Sequence, residues 1–388
     1  MWVLRAAVAA AMDTAHPLTM VRIVIPPGAL RRTSLPETPR MQRARRITLS
    51  DVASAAQVDT STASRILNYD AGHRIKPATR ERVLAIASEL GYEPNPIARG
   101  LRTSRSFILG IAVPQLENPV FPQIILGSEA AARERGYSLL ISHVDETTAD
   151  ARIYERLAQV SRIDGLLVAT LQEESLLAAS LKRAAIPFIV LNRRLRGVPY
   201  YVTFDNFAAA RTATEHLLEL GHQHIAHLAG HLRGYNGKRR LAGYRAALAS
   251  AGVEPDPRFV VAAGYTFEGG AAAMRELLKN RLRPTGIVAA TLLAAAGAIK
   301  VLHSEGIEIP WQMSVVAIHD AAIADMLNPP LTTVRLPLQE MGAAATRGLI
   351  DLIEGKTSSV AHTLPPEGLV LRASTAAPAR RKSRSRVA

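Results

Sequence analysis

The stretch ITLSDVASAAQVDTSTASRILN, residues 47–68, decides how the first part of the chain is read. Thr48 stands three residues before Asp51, the spacing of a reciprocal cap at a helix start. Val52, Ala53 and Ala56 then recur at helical spacing, and Gln57-Val58-Asp59 interrupts the pattern. Thr60 restarts a helix in which Ala63, Ile66 and Leu67 share one face, while Thr60, Ser61, Thr62, Ser64 and Arg65 lie outward. Pro77 opens a third helical run that aligns Val83, Ala87 and Leu90 and closes at Gly91. Two short helices about a three-residue turn, buttressed by a third, make the helix-turn-helix plan. Hydroxyls and an arginine on the outer face suit phosphates and base edges. On periodicity alone, a solvated helix face remains the alternative.

The charge distribution points the same way. The chain has 388 residues and a net charge of +14. Residues 1–46 carry +6, residues 47–106 carry +2 and residues 372–388 carry +6, while 107–371 hold 25 basic and 25 acidic residues. A neutral body with basic ends predicts a polyanionic partner for the ends. No run approaches the ~20 apolar residues of a membrane span, and Ala6–Met12 is a poor secretory signal. Without cysteine there is neither a disulfide framework nor a thiolate metal site, which fits a reducing cytoplasm. Residues 1–46 lack periodicity and contain five prolines, so they read as a basic leader, either disordered or a start assigned too far upstream.

Residues 107–371 alternate short apolar runs with amphipathic stretches. Strand-like runs are Phe107–Val113, Tyr137–Ser142, Gly165–Ala169, Phe188–Leu191, Ile225–Ala229, Gly286–Ala290 and Ser314–Ile318. Between them lie helical patterns such as Ile124–Arg135, Ala208–Leu220, Leu241–Ala251 and Gly270–Leu282. This alternation predicts parallel sheets in a doubly wound α/β body, long enough for two lobes. The chain is expected to cross between lobes near Asp205-Asn206 and again near Asn328–Pro337.

The head segment, including TRERVLAIASELGYEPNPIARGLRTSRS (residues 79–106), resembles the LacI/GalR regulators almost position by position. The body resembles the sensor of the same family, itself similar to periplasmic sugar-binding proteins. The phrases that carry this are Glu117-Asn-Pro-Val-Phe121, Phe204-Asp-Asn206, Thr214–His222, Arg240-Leu-Ala-Gly-Tyr244 and Asn328–Val334. The resemblance covers residues 47 to about 371 and implies an all-α helix-turn-helix head (47–93). A hinge (94–106) then joins it to a two-lobed α/β sensor (107–371), with a basic disordered tail at 372–388.

The function it implies is a cytoplasmic, nucleoid-associated transcription regulator, expected to act as a repressor. Its homodimer would bind near-palindromic double-stranded operator DNA under control of a small effector held between the lobes. The resemblance implies base reading by Thr60 and Ser61 and further DNA contacts from Thr48, Thr62, Ser64, Arg65, Asn68 and Ala98. Leu101 matches the hinge residue that wedges between base steps in the minor groove. Two departures stand in the head. Gln57 occupies a turn position where glycine is usual, and Lys76 replaces the usual Ser ahead of Pro77, losing an N-cap.

Implied effector positions are Asn118, Phe121, Asn192, Arg193, Asp205, Arg240, Leu292, His319 and Asp320. Leu292 stands where sugar-binding relatives offer Asp, Asn192 where Asp is frequent, and His319 where a second Asp is common. With Arg193 and Arg240 retained, this predicts an effector bearing an anionic group, such as a sugar acid or another organic acid.

Other chemistry is set aside. Five histidines fall within His216–His231, yet His224 and His227 point to opposite faces of a strand and cannot readily share an ion. There is no phosphate loop, no dinucleotide glycine spacing and no G-x-S-x-G elbow, so no cofactor and no catalysis are expected. A solute-binding protein would need a signal peptide and no DNA-reading head. An architectural DNA-binding protein is favoured only by the basic ends.

Overall fold

The computed structural model describes residues 47–67, 75–92, 105–144, 152–160, 163–170 and 174–379. Asn68, Ala98, Leu101, the leader, most of the hinge and residues 380–388 lie outside them. The chain divides into two compact units between Pro94 and Asn95.

In the first unit α1 (Leu49–Ala55) starts at a complete capping box. Asp51 N donates to Thr48 Oγ1 at 3.3 Å and Thr48 N donates to Asp51 Oδ2 at 2.8 Å. The chain turns through Gln57, whose φ of 51° is the left-handed conformation expected where glycine is usual. It then enters α2 (Thr60–Leu67) and α3 (Pro77–Glu89). Val52, Ala53, Ala56, Ala63, Ile66, Val83 and Ala87 form the buried core between the three helices. Arg82 Nε donates to Ala56 O at 3.1 Å and ties α3 to the turn. Lys76 gives α3 no side-chain cap, as its type dictates, and Pro77 supplies the first helical residue instead.

The second unit holds two six-stranded sheets. The first runs in the order β11-β5-β4-β3-β1-β2, with β1 Ile108–Val113, β2 Ser138–His143, β3 Gly165–Ala169, β4 Phe188–Leu191, β5 Tyr200–Phe204 and β11 Val360–Leu364. All its pairings are parallel. The second runs β12-β10-β9-β8-β6-β7, with β6 Ile225–Ala229, β7 Val260–Ala262, β8 Gly286–Ala289, β9 Ser314–Ile318, β10 Thr332–Arg335 and β12 Gly368–Val370. It is parallel except for β12 against β10. Buried central strands such as β3 and β8 are apolar throughout, as sheets covered on both faces require.

Helices α4 (Val120–Glu134), α5 (Ile153–Val160), α6 (Glu174–Ala184) and α12 (Leu338–Ile353) belong with the first sheet. With the second go α7 (Asn206–Glu219), α8 (Tyr235–Ser250), α9 (Phe267–Leu278), α10 (Leu292–Ser304) and the short α11 (Ile323–Met326). The contact of α4 with α12 is backbone to backbone. A Cβ on Gly127 would stand 1.9 Å from Gln339 O, and one on Gly342 would stand 2.0 Å from Ile124 O. Only glycine permits that approach.

The chain crosses between lobes three times: after β5, after β10 and between β11 and β12. The first two crossings fall where the sequence indicates; the third carries no such signal. The basic tail also needs a correction. Residues 372–379 are pinned to the second lobe, because Ser374 is fully buried and donates to Val315 O at 2.6 Å. Arg372 pairs with Asp320 at 2.8 Å and with Asp325 at 2.6 Å. One of the charges counted as tail is therefore neutralised in the body. Among the described residues no helix is long and apolar enough to cross a membrane.

Candidate functional site

In both sheets of the second unit the strands end toward the same gap, where open α/β sheets take their ligands. A cavity lies there, lined by Gln115 after β1, Asn118 and Phe121 at the start of α4, and Asn192 after β4. From the other lobe come Asn236 and Arg240 on α8, Tyr265 after β7, Thr291 after β8 and His319 after β9.

Arg240 organises the floor. It is 1% exposed, and its Nε donates to Asn206 Oδ1 at 2.7 Å. Its Nη1 donates to Ala290 O and its Nη2 reaches His319 Nε2 at 3.1 Å. Asn206 Nδ2 donates to Asn236 Oδ1 at 3.1 Å, so the first crossing between lobes is tied to the same network. Among the described residues, neither Asp nor Glu lines the cavity. Burial pulls the Arg240 guanidinium down to about 10, and no carboxylate counters that pull. Burial beside Arg240 holds His319 neutral, well below its ordinary range, and burial raises the Tyr265 phenol.

Two non-glycine residues face the cavity from left-handed backbone, Asn192 at φ 58° and His319 at φ 77°. Each carries a buried polar atom without a partner, Asn192 Oδ1 and His319 Nδ1. Polar atoms left so are uncommon in folded proteins and ask for an explanation.

Five expected effector residues, Asn118, Phe121, Asn192, Arg240 and His319, come together here; four do not. Leu292 is 2% exposed in the second lobe's core, because Thr291 caps α10 and phases the next side chain inward. Asp205 is the N-cap of α7, accepting from Phe207 N and Ala208 N, with Arg239 3.8 Å away. Asp320 turns from the cavity to Thr333, Arg335 and Arg372. Arg193 Nη1 donates to Thr170 O at 3.3 Å. Sequence reasoning missed Gln115, Val120, Asn236, Tyr265 and Thr291. Four of these stand within four residues of marked positions, namely Gln115, Val120, Asn236 and Thr291. Tyr265 follows a three-residue edge strand and has no local signal.

In the head, Thr60 and Ser61 are exposed, while Thr62, Ser64 and Arg65 are half-buried along α2. The helix is capped by Asp59, which accepts from Thr62 N at 2.8 Å, Thr62 Oγ1 at 2.6 Å and Ser61 Oγ at 2.5 Å. These bonds hold the Asp59 carboxyl below the usual carboxylate range. Thr48 is engaged in its capping box at the start of α1.

Residues 48–95 match the family described as bacterial regulatory proteins, lacI family, and residues 214–375 match the periplasmic binding protein-like domain. The HTH-type transcriptional regulator CelR of Thermobifida fusca is 35% identical over 343 residues, covering 86% of this chain and all of CelR. The chain belongs to the lacI family of bacterial regulatory proteins. Among solved lacI-family structures, a CelR–cellobiose complex is similar at 34% identity and TM-score 0.65, covering 85% of this chain and 100% of that one. A lac repressor dimer bound to operator and the anti-inducer ONPF gives 27% identity and TM-score 0.71, covering 86% and 100%. The chain is thus a helix-turn-helix transcription regulator of the lacI family with a two-lobed α/β sensor, and the relatives are regulators rather than enzymes.

Proposed function

We propose that the protein is a dimeric, cytoplasmic, nucleoid-associated repressor whose grip on near-palindromic operator DNA is set by an effector with an anionic group, held at Arg240. Residues 47–93 form its DNA-binding head, 94–106 its hinge and 107–371 its sensor. Thr60 and Ser61 read base edges. Thr48, Thr62, Ser64, Arg65, Asn68 and Ala98 hold the head on the duplex, and Leu101 wedges the minor groove. Dimerisation follows from specificity, since one short helix reads few bases and two-fold pairing matches two half-sites.

The observation that carries the effector reading is the buried Arg240 guanidinium with no carboxylate among the described residues of the cavity wall. A buried cation without a counterion is costly, and an anionic ligand supplies the missing charge. A neutral sugar is the second reading, favoured by the similar protein solved with cellobiose.

Site selection from random DNA, followed by anisotropy on the selected duplex, tests the DNA half. The reading requires one near-palindromic site preferred over bulk DNA by about 10³-fold or more. Without such a preference the protein is an architectural DNA binder at most. Thermal-shift screening of sugar acids, organic acids and neutral sugars tests the effector half. Stabilisation by a neutral sugar alone, surviving Arg240→Met, overturns the anionic reading.

A further inference from the structure

We propose that His319 is a specificity-determining hydrogen-bond donor that acts with Arg240 to select the carboxylate of a hydroxy acid. The inference rests on the cleft being the effector site. Arg240 Nη2 lies 3.1 Å from His319 Nε2. A guanidinium only donates, so Nε2 must present its lone pair, and a neutral ring then carries its one proton on Nδ1. That Nδ1 is buried and meets no acceptor, on a side chain that lines the cavity and is 4% exposed. Arg240 therefore fixes the tautomer of its neighbour and aims a second N–H at the ligand.

The remaining polarity of the cavity narrows the ligand. Gln115 Oε1 accepts from Asn118 Nδ2 and Asn236 Oδ1 accepts from Asn206 Nδ2, so neither oxygen is unmet. Asn192 Oδ1 is buried and accepts nothing. The cavity thus offers donors from a guanidinium and an imidazole, and one unmet amide oxygen. A carboxylate presents acceptors only and satisfies both donors. A hydroxyl on the adjacent carbon gives its proton to Asn192 Oδ1. A pair of sugar hydroxyls fits worse, because each must place a proton and the described residues of the wall include no acidic acceptor. Both left-handed positions are filled by Asn and His, among the residues that tolerate that backbone best.

Asn and Asp at position 319 form the decisive pair, since both suit the backbone and have one shape, but only Asn keeps a donor. The probes are D-gluconate, D-glucuronate and L-lactate, with D-glucose and the methyl ester of D-glucuronate as neutral controls, titrated calorimetrically into the full chain. The acid that binds the wild type should keep its affinity within about fivefold in His319→Asn. It should lose about 10–100-fold in His319→Asp, the range for a lost bond to a charged group. Nitrogen-15 spectra of the unliganded protein should show His319 protonated at Nδ1 and bare at Nε2, a readout that needs no ligand. Equal affinity of the Asn and Asp variants for an acid that Arg240→Met abolishes, or a proton on Nε2, overturns the role of His319 and leaves the cleft reading standing. Binding of glucose alone overturns both.

Discussion

His227 sits at the centre of β6, fully buried, with Nδ1 2.9 Å from Val288 O and its ring stacked on Tyr244 at 5.2 Å. Nδ1 must donate to that carbonyl, which leaves Nε2 as a bare lone pair with no partner. A second proton would go to Nε2, where it would find no acceptor and would charge a ring near Arg240. Burial accordingly lowers the pKa to about 4, against an ordinary 6.5. The unfolded chain takes up a proton as pH falls through 6.5, and the folded chain does not until about 4. Stability from this group is therefore complete above 6.5 and is lost progressively as pH falls toward 4. Between pH 7.5 and 5 the loss is about 2 kcal/mol, at 1.36 kcal/mol per pH unit over the 1.5 units crossed. His227→Phe keeps the stack and removes the titration, at a cost of about 1 kcal/mol for the lost hydrogen bond at pH 7.5. Urea unfolding of both proteins, followed by circular dichroism at pH 7.5 and pH 5, measures the difference. The variant should move from less stable than wild type to equal or slightly more stable. A wild-type advantage that stays constant within ~0.5 kcal/mol across that range would show that His227 is not held neutral by the fold.

Three further outcomes are expected. Arg240→Met should weaken binding of an anionic effector by about 2–5 kcal/mol, read by calorimetry, because it removes one partner of a buried charge pair. Its effect on unliganded stability should be smaller, since the lost bonds to Asn206 and Ala290 are offset by relief of an unpaired buried cation. Ser61→Ala should change which base is preferred at one position of each half-site, by roughly 1–3 kcal/mol of discrimination in a selection assay; uniform weakening across sequences would assign Ser61 to the phosphates. Gly342→Ala should destabilise the first lobe by about 1–3 kcal/mol or more in a thermal melt, because its Cβ meets the backbone oxygen of Ile124.

Much of the fold was legible because buried parallel strands are apolar without interruption, as in β1, β3 and β8. Most strands that escaped are polar or short, although β5 escaped too while mostly apolar and largely buried. In β10, Thr332 and Thr333 are completely buried yet read as surface residues, since their burial depends on bonds to Ser374 and Asp320. β7 and β12 have three residues each, too few for a period. The site was legible by position rather than by chemistry. The crossing at Asp205-Asn206 was marked, but the residue that reaches Arg240 is Asn206, while Asp205 caps a helix. Leu292 failed for a related reason: one residue of helical phase separates a side chain in the cavity from one in the core. Neither the orphaned nitrogen of His319 nor the partners of Arg240 could be seen before the two lobes were placed together.

The third crossing has a consequence for how the protein is made. α12 covers the first sheet and β11 edges it, while β12 and the pinned segment 372–379 finish the second. Both lobes are therefore completed only by residues synthesised last, whereas every core residue of the helical head precedes Pro94. During translation, where N-terminal units fold first, a head able to assemble emerges long before a sensor able to restrain it. A message cut short after β10 would yield chains with neither lobe closed, so late nonsense mutations should be as damaging to sensing as early ones within the body.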